Sequence, residues 1–398
     1  MRYFFAFCRL LSLSRGLRLH RIGHHEREEE TLTKLTLTGK FHLPATPTER
    51  DQVMATVHAY QAACNRVSAL VYASRQLSIL RLHQALYYDL RADYGLKAQM
   101  AASTFRTVVS AYKSAKTNGH PWTLVRFQKP KLELVYGRDY RLKRDTVSLN
   151  TLHGQLHLPL NPKGMAHFFD GTWKFGTATL VQKRGKLFLH IPFTKAFPAL
   201  TSKDLLGIVG IDLGINFLAT WFDDSGQTTF YNGRDLKNLR AYYKQLRREL
   251  QQRHTPSARK RLKAIGEREH RFMTDVNHRV TKALVTHYGP GTLFVLEDLT
   301  GVRAVTERVR RKHRYETVSW AFYQFRAFLT YKATKAGSQV LIVDPAYTSQ
   351  DCPRCNHRDK ANRDKKRHRF RCKNCGYQSN DDRVAAINLF AKGMKYLA

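Results

Sequence analysis

Four of the six cysteines lie near the C-terminus as two Cys-x-x-Cys pairs, Cys352 with Cys355 and Cys372 with Cys375. Sixteen residues separate the pairs. Four thiolates at this spacing suit a tetrahedral zinc ion, and a closed set of four protein ligands is typical of a structural site. The alternative, a redox dithiol, needs one such pair beside a βαβ unit. The pattern predicts a zinc ribbon over 348–377 and a reducing, intracellular setting.

The chain carries a large excess of positive charge. Its 398 residues include 68 Lys and Arg against 31 Asp and Glu, a net charge of +37. A surface this positive needs a polyanion, so nucleic acid is the leading partner and an anionic membrane surface the alternative. Apolar stretches are too short for a spanning helix, so we expect no membrane partner. The hydrophobic content of 42% is enough for a folded core and excludes a disordered basic tail.

The first 200 residues fall into segments of different composition. Residues 1–30 begin like a signal peptide, but arginines interrupt the apolar run, so we expect a disordered or dispensable extension or an amphipathic helix. Alternating residues at 31–45 and 118–200 predict the antiparallel strands of a small β-barrel. The segment between them, 46–117, predicts a helical domain, because it opens with the capping-box sequence Thr-Pro-Thr-Glu.

Residues 205–398 have a different order of predicted elements. The pattern predicts three short strands, a basic helical hairpin over 234–288, then strand, helix, strand and, after the cysteines, a last helix from about Asp382. This is the order of elements in an RNase H-like fold. The sequence therefore predicts such a domain here, interrupted by the zinc ribbon.

Acidic residues lie in three of these predicted elements: the first strand, the fourth strand and the start of the last helix. Asp212 lies in the run GIVGIDLGI, Glu297 ends the run LFVLE, and Asp381 and Asp382 precede the last helix. A carboxylate in a buried strand is costly unless it is paired or metal-bound. In an RNase H-like fold these positions converge on two divalent metals, which activate water and stabilise the leaving oxygen. Hard carboxylates suit Mg²⁺ or Mn²⁺.

Each acid taken alone also has a structural interpretation. Asp212 could form a turn before Gly214, Glu297 could be a surface residue, and Asp381 or Asp382 could cap the last helix. The order of the three acids, together with the charge of the chain, favours the nuclease interpretation.

Several ordered motifs resemble those of TnpB proteins, the transposon-encoded RNA-guided DNA endonucleases ancestral to type V CRISPR effectors. The resemblance runs from about residue 31 to the end and includes GIDLGINFLAT, VLEDLTG, the two cysteine pairs and DDRVAAINLF. It implies an α+β multidomain protein. Its parts would be an RNase H-like (RuvC) nuclease domain at 205–398 with an inserted zinc ribbon, a β-barrel (wedge) domain and a helical recognition domain.

The resemblance assigns roles to the candidate residues. It implies that Asp212, Glu297 and Asp382 are the catalytic acids and magnesium ligands, and that the four cysteines bind zinc. The family's last motif reads Asp-x-Asn-Ala-Ala-x-Asn, which favours Asp382 over Asp381. Val384 stands here in place of the usual Asn, so the local hydrogen bonding differs while the carboxylate remains.

The resemblance also implies the partners. These are a guide RNA derived from the transposon end and double-stranded target DNA. The DNA would be cut beside a short motif. The protein would act as a monomer with its RNA, in the cytoplasm and at the nucleoid. Because base pairing reads the sequence, the protein needs a broad positive channel. Between 234 and 271 there are thirteen Lys and Arg against four Asp and Glu, which favours phosphate contact over a merely solvated face. The candidate contacts are Lys244, Arg247, Arg248, Lys260, Arg261, Arg308, Arg310, Arg311, Lys365, Lys366 and Arg367.

Four other functions compete with this interpretation. A compact type V CRISPR effector shares the chemistry and differs in its RNA. An RNA-guided regulator that binds DNA without cutting would not need all three acids. A basic zinc-ribbon RNA-binding or transcription protein does not explain the order of the acids, and a DNA transposase would need a tyrosine motif that the sequence lacks.

Overall fold

The computed structural model describes residues 32–143, 145–214, 217–299, 322–365 and 367–398. The chain divides near residue 196 into two compact units. None of the described helices is long and apolar enough to cross a membrane. Some predicted features lie outside the described residues, namely the extension at 1–30 and the candidates Arg308, Arg310, Arg311 and Lys366.

The helices of the first unit are α1 (Pro47–Ser74), α2 (Ile79–Tyr94) and α3 (Ala98–Thr117). The predicted capping box is confirmed at the start of α1. The Thr46 hydroxyl accepts the Glu49 N–H, and the Glu49 carboxylate accepts the Thr46 N–H. The first N–H groups of a helix have no partner within the helix. Proline has no N–H, so Pro47 at the first helical position leaves no donor unpaired.

The strands of the first unit form two antiparallel sheets. They are β1 (Leu32–Leu43), β2 (Lys131–Leu134), β3 (Tyr140–Lys143), β4 (Thr146–Thr151), β5 (Gly154–Pro159), β6 (Lys174–Phe175), β7 (Ala178–Lys183) and β8 (Lys186–Pro198). One sheet has the order β1-β8-β7-β2, with β6 also paired to β8, and the other has the order β3-β4-β5. β1 therefore pairs with β8, the last strand of the first unit, across the whole helical segment between them.

The segment 118–130, predicted to belong to the strands, contains no strand. Backbone groups near its middle hydrogen-bond to side chains of α1. The Phe127 carbonyl accepts from the amides of Gln61 and Asn65, and the Phe127 N–H donates to Asn65 Oδ1 over 2.8 Å. Because these side chains satisfy its polar groups, the segment stays ordered without a neighbouring strand.

A five-stranded sheet forms the centre of the second unit. Its strands are β9 (Gly207–Asp212), β10 (Phe217–Asp223), β11 (Thr228–Asn232), β12 (Thr292–Glu297) and β13 (Gln339–Val343), in the order β11-β10-β9-β12-β13. β10 is antiparallel to β9 and β11, whereas β12 is parallel to β9 and β13. The apolar runs of β9 and β12 are buried, as expected for strands covered on both faces.

Helices cover this sheet on both sides. They are α4 (Arg234–Gln252), α5 (Pro256–Tyr288), α6 (Phe322–Lys335) and α7 (Asp381–Leu397). Residues of α5 and α6 pack in one core cluster with β9 and β12, and Leu389 of α7 packs in another. Residues 253–255 connect α4 to α5, and the Thr255 side chain caps α5.

The cysteine segment forms a small antiparallel sheet of its own. Its strands are β14 (Arg363–Asp364), β15 (Arg369–Arg371) and β16 (Gln378–Asn380), paired in that order. β16 ends at Asn380, and α7 begins at the next residue. The cysteine segment therefore leads directly into the helix that covers β9.

Helix α7 lies unusually close to β9 at Gly210. A Cβ at this position would overlap the carbonyl oxygen of Ala386 and the amide nitrogen of Phe390. Both atoms belong to the helix backbone and cannot rotate away. The glycine therefore sets the distance between the helix that carries Asp382 and the strand that carries Asp212.

We expect Gly210→Ala to lower the free energy of unfolding by about 3 kcal/mol, because the added methyl group forces α7 from the sheet. Gly266→Ala is the matched control. Gly266 lies inside α5, and a Cβ there meets nothing within 4 Å, so alanine should stabilise the helix by about 0.5–1 kcal/mol. Urea unfolding followed by circular dichroism measures both. Equal stability of Gly210→Ala and the parent protein would contradict the close packing.

Candidate active site

Three acidic residues lie at the same end of the second unit's sheet. Asp212 is the last residue of β9, and Glu297 is the last residue of β12. The two strands are parallel neighbours with Leu296 opposite Ile211, so Asp212 and Glu297 occupy corresponding positions at their ends. Asp382 lies in the first turn of α7, and its charge, like that of Glu297, acts on Asp212.

All three pKa values are raised, in each case chiefly by burial. Burial, reinforced by the charges of Glu297 and Asp382, raises the pKa of Asp212 well above its ordinary value. Burial also raises the pKa of Glu297, against the lowering effect of a hydrogen bond from Thr348. Burial and the charge of Asp381 raise the pKa of Asp382. Such a cluster of like charges is stabilised by a cation, and its oxygen donors suit Mg²⁺ or Mn²⁺.

Asp381 and Asp382 differ in their surroundings. Asp381 is fully buried, its Oδ2 accepts the Arg363 Nε–H over 2.8 Å, and its Oδ1 lies 3.4 Å from Nδ1 of His368. Arg363 also donates to the Ser349 hydroxyl over 2.9 Å. The Asp381 carboxylate is thus held by side chains of the cysteine segment. An oxygen of Asp382 lies within 4.8 Å of ligand atoms of His368 and Asp381, and the charge of Asp382 also acts on Asp212.

Neither acid caps α7, so the helix-cap interpretation of Asp381 and Asp382 is wrong. The cap is Asn380, whose Oδ1 accepts the N–H groups of Asp382 over 2.9 Å and Arg383 over 3.1 Å. Asn is a preferred cap because its short side chain reaches these unpaired donors. The two acids that follow are free to serve other roles.

Thr348 fixes the Glu297 side chain and Asn388 fixes the loop of Thr348; sequence reasoning missed Thr348 and gave Asn388 no role beyond its place in the family's motif. The Thr348 hydroxyl donates to Glu297 Oε1. The Asn388 amide of α7 donates to the carbonyls of Thr348 over 2.7 Å and Asp351 over 2.9 Å. A polar Asn388 within the apolar run VAAINLF was the available signal. Helix α7 therefore carries one acid and also positions the loop that holds another.

The four cysteines of the two pairs form one cluster. Their Sγ atoms all lie within 4.8 Å of one another, with Cys352 and Cys375 3.6 Å apart and Cys355 and Cys372 3.5 Å apart. All four are free thiols. Tetrahedral zinc with Zn–S bonds of about 2.3 Å separates its sulfurs by about 3.8 Å. The cluster therefore fits a zinc ion.

The basic candidates that the structure describes fall into two groups. Arg248, Lys260 and Arg261 of the helical hairpin are exposed, as are Lys365 and Arg367 of the cysteine segment, and Lys244 is half-buried. Arg247 instead forms an ion pair with the buried Glu269, which Arg240 also approaches. The charge of Arg247 thus has a partner inside the hairpin that sequence reasoning did not foresee.

Two protein-family models match this unit. The family described as probable transposase (OrfB_IS605) matches residues 203–300, and the family described as Cas12f1-like, TNB domain, matches residues 322–389. The first match contains Asp212 and Glu297. The second contains Asp382 and the four cysteines.

Curated relatives agree with these matches. The chain is 28% identical to the CRISPR-associated endodeoxyribonuclease Cas12f1 of Sulfoacidibacillus thermotolerans, over 56% of this chain and 55% of that protein. It is also 28% identical to the TnpB-like protein MJ0751 of Methanocaldococcus jannaschii, over 56% of this chain and 80% of that protein. The chain spans about half the length of the Cas12f1 relatives it matches.

A solved structure shows a similar fold. The protein of a Cas12f1–sgRNA–target DNA complex aligns with a TM-score of 0.56 and 13% identity, over 89% of this chain and 98% of that one. This similarity confirms the mixed α/β architecture expected from the sequence. The family and curated matches confirm the resemblance to TnpB proteins.

Proposed function

We propose that this protein is an RNA-guided DNA endonuclease that hydrolyses phosphodiester bonds at the site of Asp212, Glu297 and Asp382. One observation carries the proposal: two neighbouring parallel strands end in Asp212 and Glu297, the helix packed on them carries Asp382 in its first turn, and the charges of Glu297 and Asp382 both act on Asp212. The matched family models, and the names of the relatives as endodeoxyribonuclease and TnpB-like protein, support it.

The domain assignment forms part of the proposal. Residues 205–398 would be the RuvC-like nuclease domain, with the hairpin at 234–288 and the zinc ribbon at 348–377. The strand order β11-β10-β9-β12-β13 supports an RNase H-like topology. Residues 31–45 and 118–200 would form the wedge domain, and 46–117 the recognition domain.

The chemistry follows from the arrangement of the side chains. Bound Mg²⁺ or Mn²⁺ supplies an activated water and stabilises the charge on the leaving oxygen. Asp212 and Glu297 would hold the metal from the sheet and Asp382 from the helix. Thr348 fixes the rotamer of Glu297, and Arg363 holds Asp381, whose Oδ1 accepts the Asp382 N–H over 3.1 Å.

The partners follow from charge and from the matched relatives. The exposed Arg248, Lys260 and Arg261 and the net charge of +37 suit the phosphates of a guide RNA and of its duplex with target DNA. A monomer with its RNA would act in the cytoplasm and at the nucleoid. The match to Cas12f1 favours a second candidate, a compact CRISPR effector with the same chemistry and a different RNA.

The RNA that accompanies the protein tests the guided function. We would express the gene together with its flanking DNA, purify the protein and sequence the bound RNA. One abundant RNA that ends in sequence from the element's boundary is expected. RNA carrying a repeat from a CRISPR array would favour the second candidate. A mixture of cellular RNA fragments would contradict both guided functions.

We expect Thr348→Val to lower the DNA cutting rate about tenfold or more and to raise the Mg²⁺ concentration needed for half-maximal cutting, because Glu297 loses the group that orients it. Thr348→Ser keeps the hydroxyl and is the matched control, expected to cut at nearly the parent rate. Cutting rates over a Mg²⁺ titration provide the measurement. Equal metal requirements for the Val and Ser variants would show that the hydroxyl does not orient Glu297.

A further inference from the structure

Tyr347 immediately precedes Thr348, and no step described above uses its side chain. The residue is 47% exposed. Its φ of +65° lies in the left-handed region, which is unfavourable for a bulky side chain. The turn is nevertheless fixed, because the Tyr347 carbonyl accepts the N–H groups of Gln350 over 2.9 Å and Asp351 over 3.0 Å. The fold thus keeps a large aromatic ring at a strained, half-exposed position.

One face of this ring is covered by Arg358. The guanidinium carbon lies 3.9 Å from the ring centroid. Asp351 holds the guanidinium in place, accepting from Nε over 2.6 Å and from Nη2 over 2.9 Å. The Asp351 carbonyl in turn accepts from Asn388. The stacked pair is therefore connected to α7, and its geometry is set before any ligand binds.

The position of the pair relative to the acids limits what it could bind. Tyr347 and Thr348 are consecutive, and the Thr348 hydroxyl contacts Glu297. A flat, half-exposed aromatic surface suits a nucleobase, because base stacking on an aromatic ring accepts any sequence. A paired base inside a duplex does not expose its face, so the ligand must be unpaired.

We propose that Tyr347 and Arg358 form a stacking platform for an unpaired base of the DNA strand that enters the site of Asp212, Glu297 and Asp382. The proposal rests on the function proposed above, since that function places a DNA strand at Glu297. The base would stack on the ring face opposite Arg358, and the paired guanidinium would keep the ring in place. The platform would thereby hold the strand in register for cutting.

Photocrosslinking tests this contact without a guide RNA. The zinc-loaded full chain would be mixed with single-stranded DNA containing 5-iodouracil, in Ca²⁺, irradiated, and the crosslinked residue identified by mass spectrometry. We expect a crosslink at position 347 in the parent protein and in Tyr347→Phe, and its loss in Tyr347→Gly. Glycine tolerates the positive φ, so the melting temperature and zinc content of this variant should not fall.

Cutting by the guide-loaded protein provides the functional measurement. Tyr347→Gly should cut about tenfold more slowly, whereas Tyr347→Phe should be nearly normal. Tyr396→Ala, which removes another half-exposed ring of the same unit, is the matched control and should change neither readout. If the parent protein crosslinks at position 347 but never cuts DNA, the proposed function fails and the platform stands.

Three results would overturn the proposal. The first is crosslinking of the parent protein at other residues but not at 347. The second is a crosslink at 347 with 5-iodouracil RNA but not with the DNA. The third is loss of zinc or a lower melting temperature in Tyr347→Gly, while Tyr347→Phe keeps the zinc content and melting temperature of the parent protein. This result would show that the ring serves to pack the cysteine segment.

Discussion

Asp212→Asn is expected to abolish DNA cutting while RNA and target binding remain unchanged. Asparagine keeps the shape of the side chain but removes the negative charge that, in the proposed function, would hold the catalytic metal. We expect the single-turnover cutting rate to fall roughly a thousandfold or more. Affinity for RNA and for matched DNA, measured by gel shift, should stay within about twofold, because phosphate contacts elsewhere dominate binding.

A matched control is Asp275→Asn. Asp275 is an exposed acid of α5 that pairs with Arg279 over 3.0 Å, outside the carboxylate cluster. This variant should cut like the parent protein. Cutting by Asp212→Asn at the parent rate would refute the catalytic assignment.

The stability of Asp212→Asn provides an independent readout of the same site. The folded protein raises the pKa of Asp212, so ionisation of this group opposes folding at neutral pH. The metal-free variant should therefore melt at a higher temperature than the parent at pH 7. The difference should vanish as the pH falls below the unfolded pKa of about 4, where the parent carboxyl is protonated in both states. Equal melting at pH 7 would contradict the electrostatic description of the site.

Cys372→Ser should remove zinc and also impair cutting. The metal's binding energy, about 10–16 kcal/mol in small zinc domains, is largely folding energy, so loss of one ligand should unfold the segment 348–377. That segment carries Thr348, which contacts Glu297, and Arg363, which holds Asp381. We therefore expect the loss to reach the active site and to lower the cutting rate at least as much as Thr348→Val does.

Metal analysis and limited proteolysis measure this effect. The parent protein should hold one zinc per chain and resist cleavage within 348–377, whereas Cys372→Ser should do neither. Cys64→Ala is the control, because Cys64 is buried in α1 of the first unit. It should retain its zinc even if the first unit is destabilised. Full zinc content in Cys372→Ser would show that the four cysteines are not the ligands.

The sequence predicts the features that depend on local pattern. The runs around Asp212 and Glu297 predict buried strands because they are continuously apolar, and the structure places β9 and β12 there. The cysteine spacing predicts the cluster because short chelating loops bring their own ligands together. The capping box at Thr46 is equally local and is equally well predicted.

Features that depend on distant side chains are not predictable in this way. Thr348 reaches Glu297 only because α7 anchors its loop through Asn388, and Arg247 finds Glu269 only after the hairpin folds. The segment 118–130 resembles a strand in sequence, yet Gln61 and Asn65 of α1 take its hydrogen bonds. In each case a tertiary partner decides the role of the residue.

Cutting of a matched plasmid by the purified protein with its own RNA tests the central claim most directly. The plasmid would carry the sequence complementary to the guide segment of the bound RNA, beside a randomised flanking motif, and the reaction would be started with Mg²⁺. We expect cutting of the matched plasmid, no cutting of a mismatched one, and no cutting without Mg²⁺ or with Asp212→Asn. Intact matched plasmid, or equal cutting of matched and mismatched plasmids, would contradict an RNA-guided nuclease.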